Sequence, residues 1–255
     1  MQSILNRKKK KFMVINPNTG KAMTNQIEES LQGLLTEEVE LEVVTNIAGP
    51  VSIEGHIDEV LSSYYILKMI AQKQEECDGY LIACFSNHPS IAMLRELTGK
   101  PVVGIAEAAC HMAAMIGNKF GIVTTSHKWV PMLQEAVECF GMRDKCAGVW
   151  STGLSVDELH QHSREQVEDA ILNTGKQALS YGAEAICLGC AGMSGLQERI
   201  EKELKVPVVD SCKAGLMMLY SLCNLNLQTS CLCTYAPNLP RETMNLENNI
   251  KKFYC

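Results

Sequence analysis

Asp78-Gly79-Tyr80-Leu81-Ile82-Ala83-Cys84 and Glu184-Ala185-Ile186-Cys187-Leu188-Gly189-Cys190 decide the fold. Each stretch opens on an acid, runs on through apolar residues and reaches a cysteine six positions after the acid. Pro-Val-Val then follows in both halves, and seventeen positions separate Cys84 from Pro101 and Cys190 from Pro207. Upstream, Lys11-Phe12-Met13-Val14-Ile15 is similar to Lys119-Phe120-Gly121-Ile122-Val123 at nearly the same offset. Self-similarity at one offset points to two similar units in one chain.

Around these stretches, short apolar runs alternate with longer helical patterns. The runs are Phe12–Ile15, Leu41–Thr45, Gly79–Ala83, Val102–Ile105, Phe120–Thr124, Ala185–Leu188 and Val208–Val209. Runs that are apolar throughout suit parallel strands covered on both faces. Helical periodicity falls at Met23–Leu35 (with Thr19 as a nearby cap), His56–Gln74, Pro131–Phe140 and Val156–Tyr181. In the second of these, Ile57, Val60, Leu61 and Tyr64 stack on one face, as a core-facing stripe would. The pattern predicts an α/β fold of two pseudo-symmetric lobes, each a small parallel sheet flanked by helices, with the site in the cleft between them. The expected division is 1–107 plus 212–255 for the lobe carrying Cys84, and 108–211 for the lobe carrying Cys190.

Composition narrows the functional classes. With 255 residues and 46% hydrophobic content the chain can bury a substantial core. A net charge of −6 argues against a nucleic-acid surface, and the basic run Arg7 to Lys11 reads as a solvated end. No apolar stretch reaches the roughly 20 residues of a membrane span, and Asn16-Pro17-Asn18 cuts short any signal-peptide core. The expectation is a cytoplasmic protein whose 12 cysteines are mostly reduced and mostly buried small hydrophobes. Cys231, Cys233 and Cys255 read as incidental members of a polar tail.

Cys84 and Cys190 stand apart. Each ends a strand and precedes a helix, one beginning near Pro89 and the other near Ser194. Groups at the carboxyl ends of strands form the sites of open α/β sheets. If the lobes face each other, the two thiols meet across one cleft. Matched groups on opposite faces of a carbon can take a proton from one side and return one to the other. A thiol, with an ordinary pKa of roughly 8.5, populates both forms near neutrality. A helix N-terminus would lower it further, and the backbone of Gly189-Cys190-Ala191-Gly192 could hold an enolate oxygen. Cys187-x-x-Cys190 has no second C-x-x-C at zinc spacing, so no metal site is expected.

The same residues resemble the hydantoin and allantoin racemases of the aspartate/glutamate racemase superfamily. Val14-Ile15-Asn16-Pro17-Asn18-Thr19 with Met23-Thr24 is similar to their N-terminal signature. Ala83-Cys84-Phe85 and Leu188-Gly189-Cys190-Ala191-Gly192-Met193 are similar to their two cysteine motifs. Pro101 through Ala109 and Val123-Thr124-Thr125 match in order and spacing. The resemblance runs from about residue 12 to about residue 216. It implies two facing α/β lobes, catalysis without metal or pyridoxal phosphate, and a homo-oligomer. It makes Cys84 and Cys190 the two bases. Asn16 and the groups flanking each cysteine (Phe85, Ser86 and Asn87; Gly189, Ala191 and Gly192) would hold the ring, with Thr124 and Thr125 at the second-lobe counterpart of Asn16. Phe85-Ser86-Asn87-His88-Pro89 departs from the Gly/Asp-rich segment usual there, which bears on the substrate side chain.

The expected substrate is a small neutral cyclic amide or ureide. Asn16 is neutral and both donates and accepts, and no Arg or Lys falls inside the motifs to clamp a carboxylate. Alternatives are an amino-acid racemase, a decarboxylase or a cis-trans isomerase of the same superfamily, a non-catalytic binding relative, or cysteine hydrolysis through Cys84 and His88. Two matched cysteines favour racemisation over the decarboxylase and the hydrolase. His88 can orient a thiol or start a helix, His111 reads as structural, His127 follows the Thr124-Thr125-Ser126 turn, and Glu107 can cap a helix or line the cleft.

Overall fold

The computed structural model describes residues 9–35, 37–73, 77–238, 240 and 242–254. Arg7, Lys8, Gln74 and Cys255 lie outside them. The chain runs β1 (Lys10–Asn16), α1 (Lys21–Leu31), β2 (Val39–Thr45), α2 (His56–Gln72), β3 (Gly79–Ile82), α3 (Pro89–Thr98), β4 (Val102–Gly104) and α4 (Ile105–Ile116). It continues with β5 (Phe120–Thr124), α5 (Trp129–Cys139), β6 (Cys146–Ser151), α6 (Glu158–Gln161), α7 (Arg164–Ser180), β7 (Ala185–Leu188), α8 (Gln197–Leu204), β8 (Val208–Val209), α9 (Ser211–Asn224) and α10 (Asn248–Lys251).

The strands form two parallel four-stranded sheets with the same order, β2-β1-β3-β4 and β6-β5-β7-β8. The central strands β3 and β7 are buried along their length, as continuous apolar runs under helices on both faces must be.

The sequence repeat is also a repeat of hydrogen bonds. Asp78 and Glu184 each accept from a backbone N–H at the head of the neighbouring strand, Lys11 N at 2.8 Å and Asn118 N at 2.7 Å. Their own N–H groups donate to Lys11 and Lys119 O, both at 2.8 Å. Tyr80 N reaches Pro101 O and Ile186 N reaches Pro207 O, both at 3.0 Å. At the far end Ala83 N donates to Ile15 O and Gly189 N to Val123 O. The matched acids thus clamp the strand heads, and the matched cysteines come out at the other end of equal strands.

Several expectations are corrected. β6 lies outside the runs read from the sequence: Cys146-Ala147-Gly148-Val149-Trp150-Ser151 is a half-buried edge strand, broken by Gly148 and by a register shift that leaves Ala147 unpaired with β5. The Val156–Tyr181 pattern is two helices, broken where Ser163 and Gln166 form a reciprocal capping box at the start of α7. Gly20, not Thr19, is the N-cap of α1, and Thr19 donates to Pro50 O instead. After Cys190 comes a single 3₁₀ turn, Ala191–Met193, and α8 begins only at Gln197.

The largest departure is α2. Ile57, Val60, Leu61 and Tyr64 are 77, 63, 47 and 43% exposed. Glu59, Ser62 and Ser63 take the inner face, with Ile66 and Met69 further along. Ser62 and Ser63 donate back to Glu59 O, at 3.0 and 2.7 Å. Ser63 Oγ also accepts from Ser90 Oγ at 3.0 Å. This seam explains how a polar face is buried: its donors and acceptors are satisfied internally.

α9 returns late in the chain to cover the first sheet, against β3, β4, α1 and α4. A Cβ on Gly215 would come within 2.6 Å of Leu81 Cδ1, so a larger residue there would push the Leu81 side chain aside. Beyond it the tail straps the first lobe. Thr229 binds Gly99 O and Lys100 O, Glu247 meets Lys68 at 2.9 Å, and Ile250 is buried.

Candidate active site

Cys84 and Cys190 follow the ends of β3 and β7, and both line one pocket between the sheets. Ala83, Phe85, Gly189 and Ala191 flank them there. Thr125 and Trp129 come from the second lobe, and Asn18, Met23 and Ile53 from the first. The wall is mostly apolar and, among the described residues, carries no lysine or arginine side chain.

Each thiol has one local hydrogen-bond donor. Ser86 Oγ lies 3.6 Å from Cys84 Sγ, held in place because Ser86 N donates to Cys84 O at 3.0 Å. Gly192 N lies 3.4 Å from Cys190 Sγ, which makes Cys190 the side-chain cap of its 3₁₀ turn. These bonds favour the thiolates, but burial outweighs them. Desolvation, then the Glu59 carboxylate, pushes the Cys84 thiol far up, against the Ser86 bond. Desolvation pushes Cys190 up to about 11, against the Gly192 N–H and helped by Glu54. The expected lowering by helix N-termini is therefore overturned. α3 starts five residues beyond Cys84, capped by His88, and a single 3₁₀ turn follows Cys190.

The other expected site residues divide. Phe85, Thr125, Gly189 and Ala191 line the pocket. Asn16 does not. Its Nδ2 points to Asn18 Oδ1 (2.8 Å), Gly20 O (3.1 Å) and Thr24 Oγ1 (3.0 Å), and its Oδ1 accepts from Asn18 N. It is a fully engaged buried amide behind the wall, and Asn18 is the residue it presents. Asn18 Oδ1 also accepts from Gly20 N at 2.9 Å. Both bonds fall on that oxygen, so Asn18 Nδ2 is the donor left for the pocket. Thr124 is likewise structural, donating to Gly189 O at 3.0 Å and tying β5 to the residue before Cys190. Ser86 stands behind Cys84, Asn87 is exposed, and Gly192 faces Met23 and Leu159.

His88 starts a helix. Ser90 N donates to its Nδ1 at 3.2 Å, so the proton sits on Nε2, 3.0 Å from Ser62 Oγ. Burial holds its pKa down to about 3, and it is neutral. His111 binds Glu107 O within α4, and His127 is exposed outside the pocket. Glu107 neither caps nor lines the cleft but pairs with Arg95 at 3.1 Å. Cys187 turns away from the pocket to Ala109 O.

Asn18, Met23, Ile53, Trp129 and Val156 were not singled out from sequence. Asn18 and Met23 had a signal, since both belong to the Asn16–Thr24 stretch. Trp129 and Val156 had none: they reach the pocket through the relative placement of the lobes.

Two facing parallel sheets with a thiol at the tip of each central strand define a class, and the Asp/Glu/hydantoin racemase family profile matches residues 13–219. The chain belongs to the Asp/Glu/hydantoin racemase family. It is 37% identical to a hydantoin racemase of Pseudomonas sp. (strain NS671), over 88% of this chain and 90% of that one. Among solved structures, an allantoin racemase from Klebsiella pneumoniae superposes with a TM-score of 0.86 at 35% identity, covering 96% of this chain and 98% of that one. An allantoin racemase from Pseudomonas fluorescens gives 0.88 at 31%, covering 92% and 100%.

Proposed function

We propose that the protein is a racemase of a small neutral cyclic amide, a 5-substituted hydantoin or allantoin, working by two-base proton transfer between Cys84 and Cys190. The observation that carries this reading is the pair of thiols on the two walls of one largely apolar pocket. One cysteine, as thiolate, takes the proton from the ring carbon, and the other, as thiol, returns one to the opposite face. The electron pair rests meanwhile on the adjacent ring carbonyl as an enolate. Gly189 N and Gly192 N are committed to Val123 O and Cys190 Sγ, so we assign the enolate contact to Asn18 Nδ2. A wall with no lysine or arginine among the described residues favours an uncharged ring over an amino acid. The relatives named as hydantoin and allantoin racemases support the same substrate class.

The lobe boundaries at 107/108 and 211/212, and assembly as a homo-oligomer, belong to this reading. Single enantiomers of allantoin and of 5-alkyl hydantoins, incubated with the reduced protein in deuterated buffer, test it. Optical activity should fall and deuterium enter the ring carbon faster than in a protein-free blank. Cys84→Ser and Cys190→Ser should each abolish net racemisation. Full activity in both variants would sink the mechanism.

A further inference from the structure

The two-base reading leaves a problem, and α2 answers it. After one turnover the thiols have exchanged roles: the donor is now a thiolate and the acceptor a thiol. Before a second molecule of the same enantiomer can react, a proton must return to the spent donor. Cys84 is more deeply buried than Cys190, and the side chains behind it offer a route to solvent besides the pocket.

Resting on that reading, we propose that His56, Glu59 and Ser86 form a proton path from solvent to Cys84. The inner face of α2 places the Glu59 carboxyl against Ser86. Ser86 Oγ lies 3.6 Å from Cys84 Sγ. On the outer side His56 Nδ1 lies 3.5 Å from Glu59 Oε2. The His56 side chain is 74% exposed and that of Glu59 only 7%. The path therefore runs from an exposed imidazole to a buried carboxyl, a hydroxyl and a thiol.

The hydroxyl makes it a relay. Ser86 has one hydrogen and two neighbours that can take it. With Glu59 ionised and Cys84 a thiol, the hydroxyl points to the carboxylate and its oxygen can accept S–H. With Glu59 protonated and Cys84 a thiolate, it points to sulfur and accepts from the carboxyl. In the return step Ser86 O–H gives its proton to Cys84 S⁻, Ser86 O takes the Glu59 proton, and Glu59 takes one from His56, which recovers it from water. Cys190 S–H gives its own proton to water in the pocket, so one proton enters and one leaves.

The groups facing Cys84 are Glu59 from α2, Ser86 and, across the pocket, Cys190. Those facing Glu59 are Ser86 and, on its own helix, His56 and Asp58. Burial raises Glu59 as it raises Cys84, which suits a carboxyl that must hold a proton in transit.

The test has two arms. The first follows alkylation of Cys84 by iodoacetamide against pH in the full chain, resolved by peptide mass spectrometry. It needs no substrate. Glu59→Gln removes a neighbouring anion and should move the profile to lower pH by about one unit, about tenfold faster at fixed pH. Ser86→Ala removes a donor to the thiolate and should move it the other way. Unmoved profiles, or shifts of the same sign, would overturn the proposal even if the protein racemises nothing tested. The second arm uses racemisation by the wild type. Glu59→Gln and His56→Ala should make the net rate fall at high total substrate, where return of the free enzyme limits turnover. Added imidazole should restore it for His56→Ala. Linear behaviour matching wild type in both variants would overturn the path while leaving the racemase reading intact.

Discussion

Asp210→Ala should be among the most damaging single changes outside the pocket, and its cost can be built up bond by bond. Asp210 is buried and N-caps α9, with Oδ1 accepting from Cys212 N at 3.0 Å and Lys213 N at 3.2 Å. The same Oδ1 accepts from Ser194 Oγ and Oδ2 accepts from Gly195 N, both at 2.7 Å. One carboxylate therefore holds both the helix that covers the first sheet and the loop that follows Cys190. Loss of the cap costs about 1 kcal/mol. Two further hydrogen bonds to a charged group are worth roughly 1.5–3 kcal/mol each, reduced where water enters the gap. The sum is about 4 kcal/mol, a large part of the ~5–15 kcal/mol of a whole domain. In urea, at a slope near 3 kcal/mol/M, the unfolding midpoint should fall by more than ~1 M with the slope unchanged. Asp210→Asn keeps an oxygen for the cap and should lose about half as much. A midpoint within ~0.3 M of wild type for Asp210→Ala would show that the carboxylate does not couple these elements.

Gly189→Ala would bring a Cβ to 2.7 Å from Val123 O and 3.1 Å from Thr124 Cα. Backbone cannot yield cheaply, so a loss of ~1–3 kcal/mol is expected, with displacement of Cys190 and a larger loss of racemisation than of melting temperature; an unchanged rate would refute this. His88 is held down to about 3 in the folded protein, whereas the unfolded chain protonates it near 6.5. Its contribution is present above that value and drains away as pH falls toward 3. His88→Asn, which can still cap α3, should flatten the decline in urea midpoint between pH 6.5 and 4. The opposite sign applies to the thiols. Cys190 and Cys223 are raised to about 11, so their contribution is intact below about 9 and is lost as pH rises toward 11. Stability should therefore fall across that window, and racemisation limited by thiolate should keep rising past pH 9, which a pH-rate profile reads directly.

Much of the fold was legible because the acid-to-cysteine interval and the Pro-Val-Val that follows are local features, and the matched strand-head bonds of Asp78 and Glu184 preserve them in space. The two thiols were legible for the same reason. Asn16 and Thr124 were placed in the right neighbourhood but one layer too far forward, since sequence does not tell which member of Asn16-Pro17-Asn18 points outward. α2 misled the reading altogether. Periodicity reports that a helix has two faces, and an apolar stripe is ordinarily the inner one. Here the seam with Ser86, His88 and Ser90 reverses it, and Glu59 was missed with it. β6 escaped because Gly148 and the register shift at Ala147 interrupt its run.

The late return of α9 has a consequence for how the molecule assembles as it is made. The second sheet and the helices α5 to α8 come from one unbroken stretch and can close as soon as that stretch is available. The first sheet, although synthesised earlier, keeps one face bare until residues 211–224 arrive to lie along Leu81 and Ile105. Translation from the N-terminus therefore produces the first lobe's strands first and completes that lobe last. In the interval its apolar surface is the part of the nascent chain that most needs a chaperone.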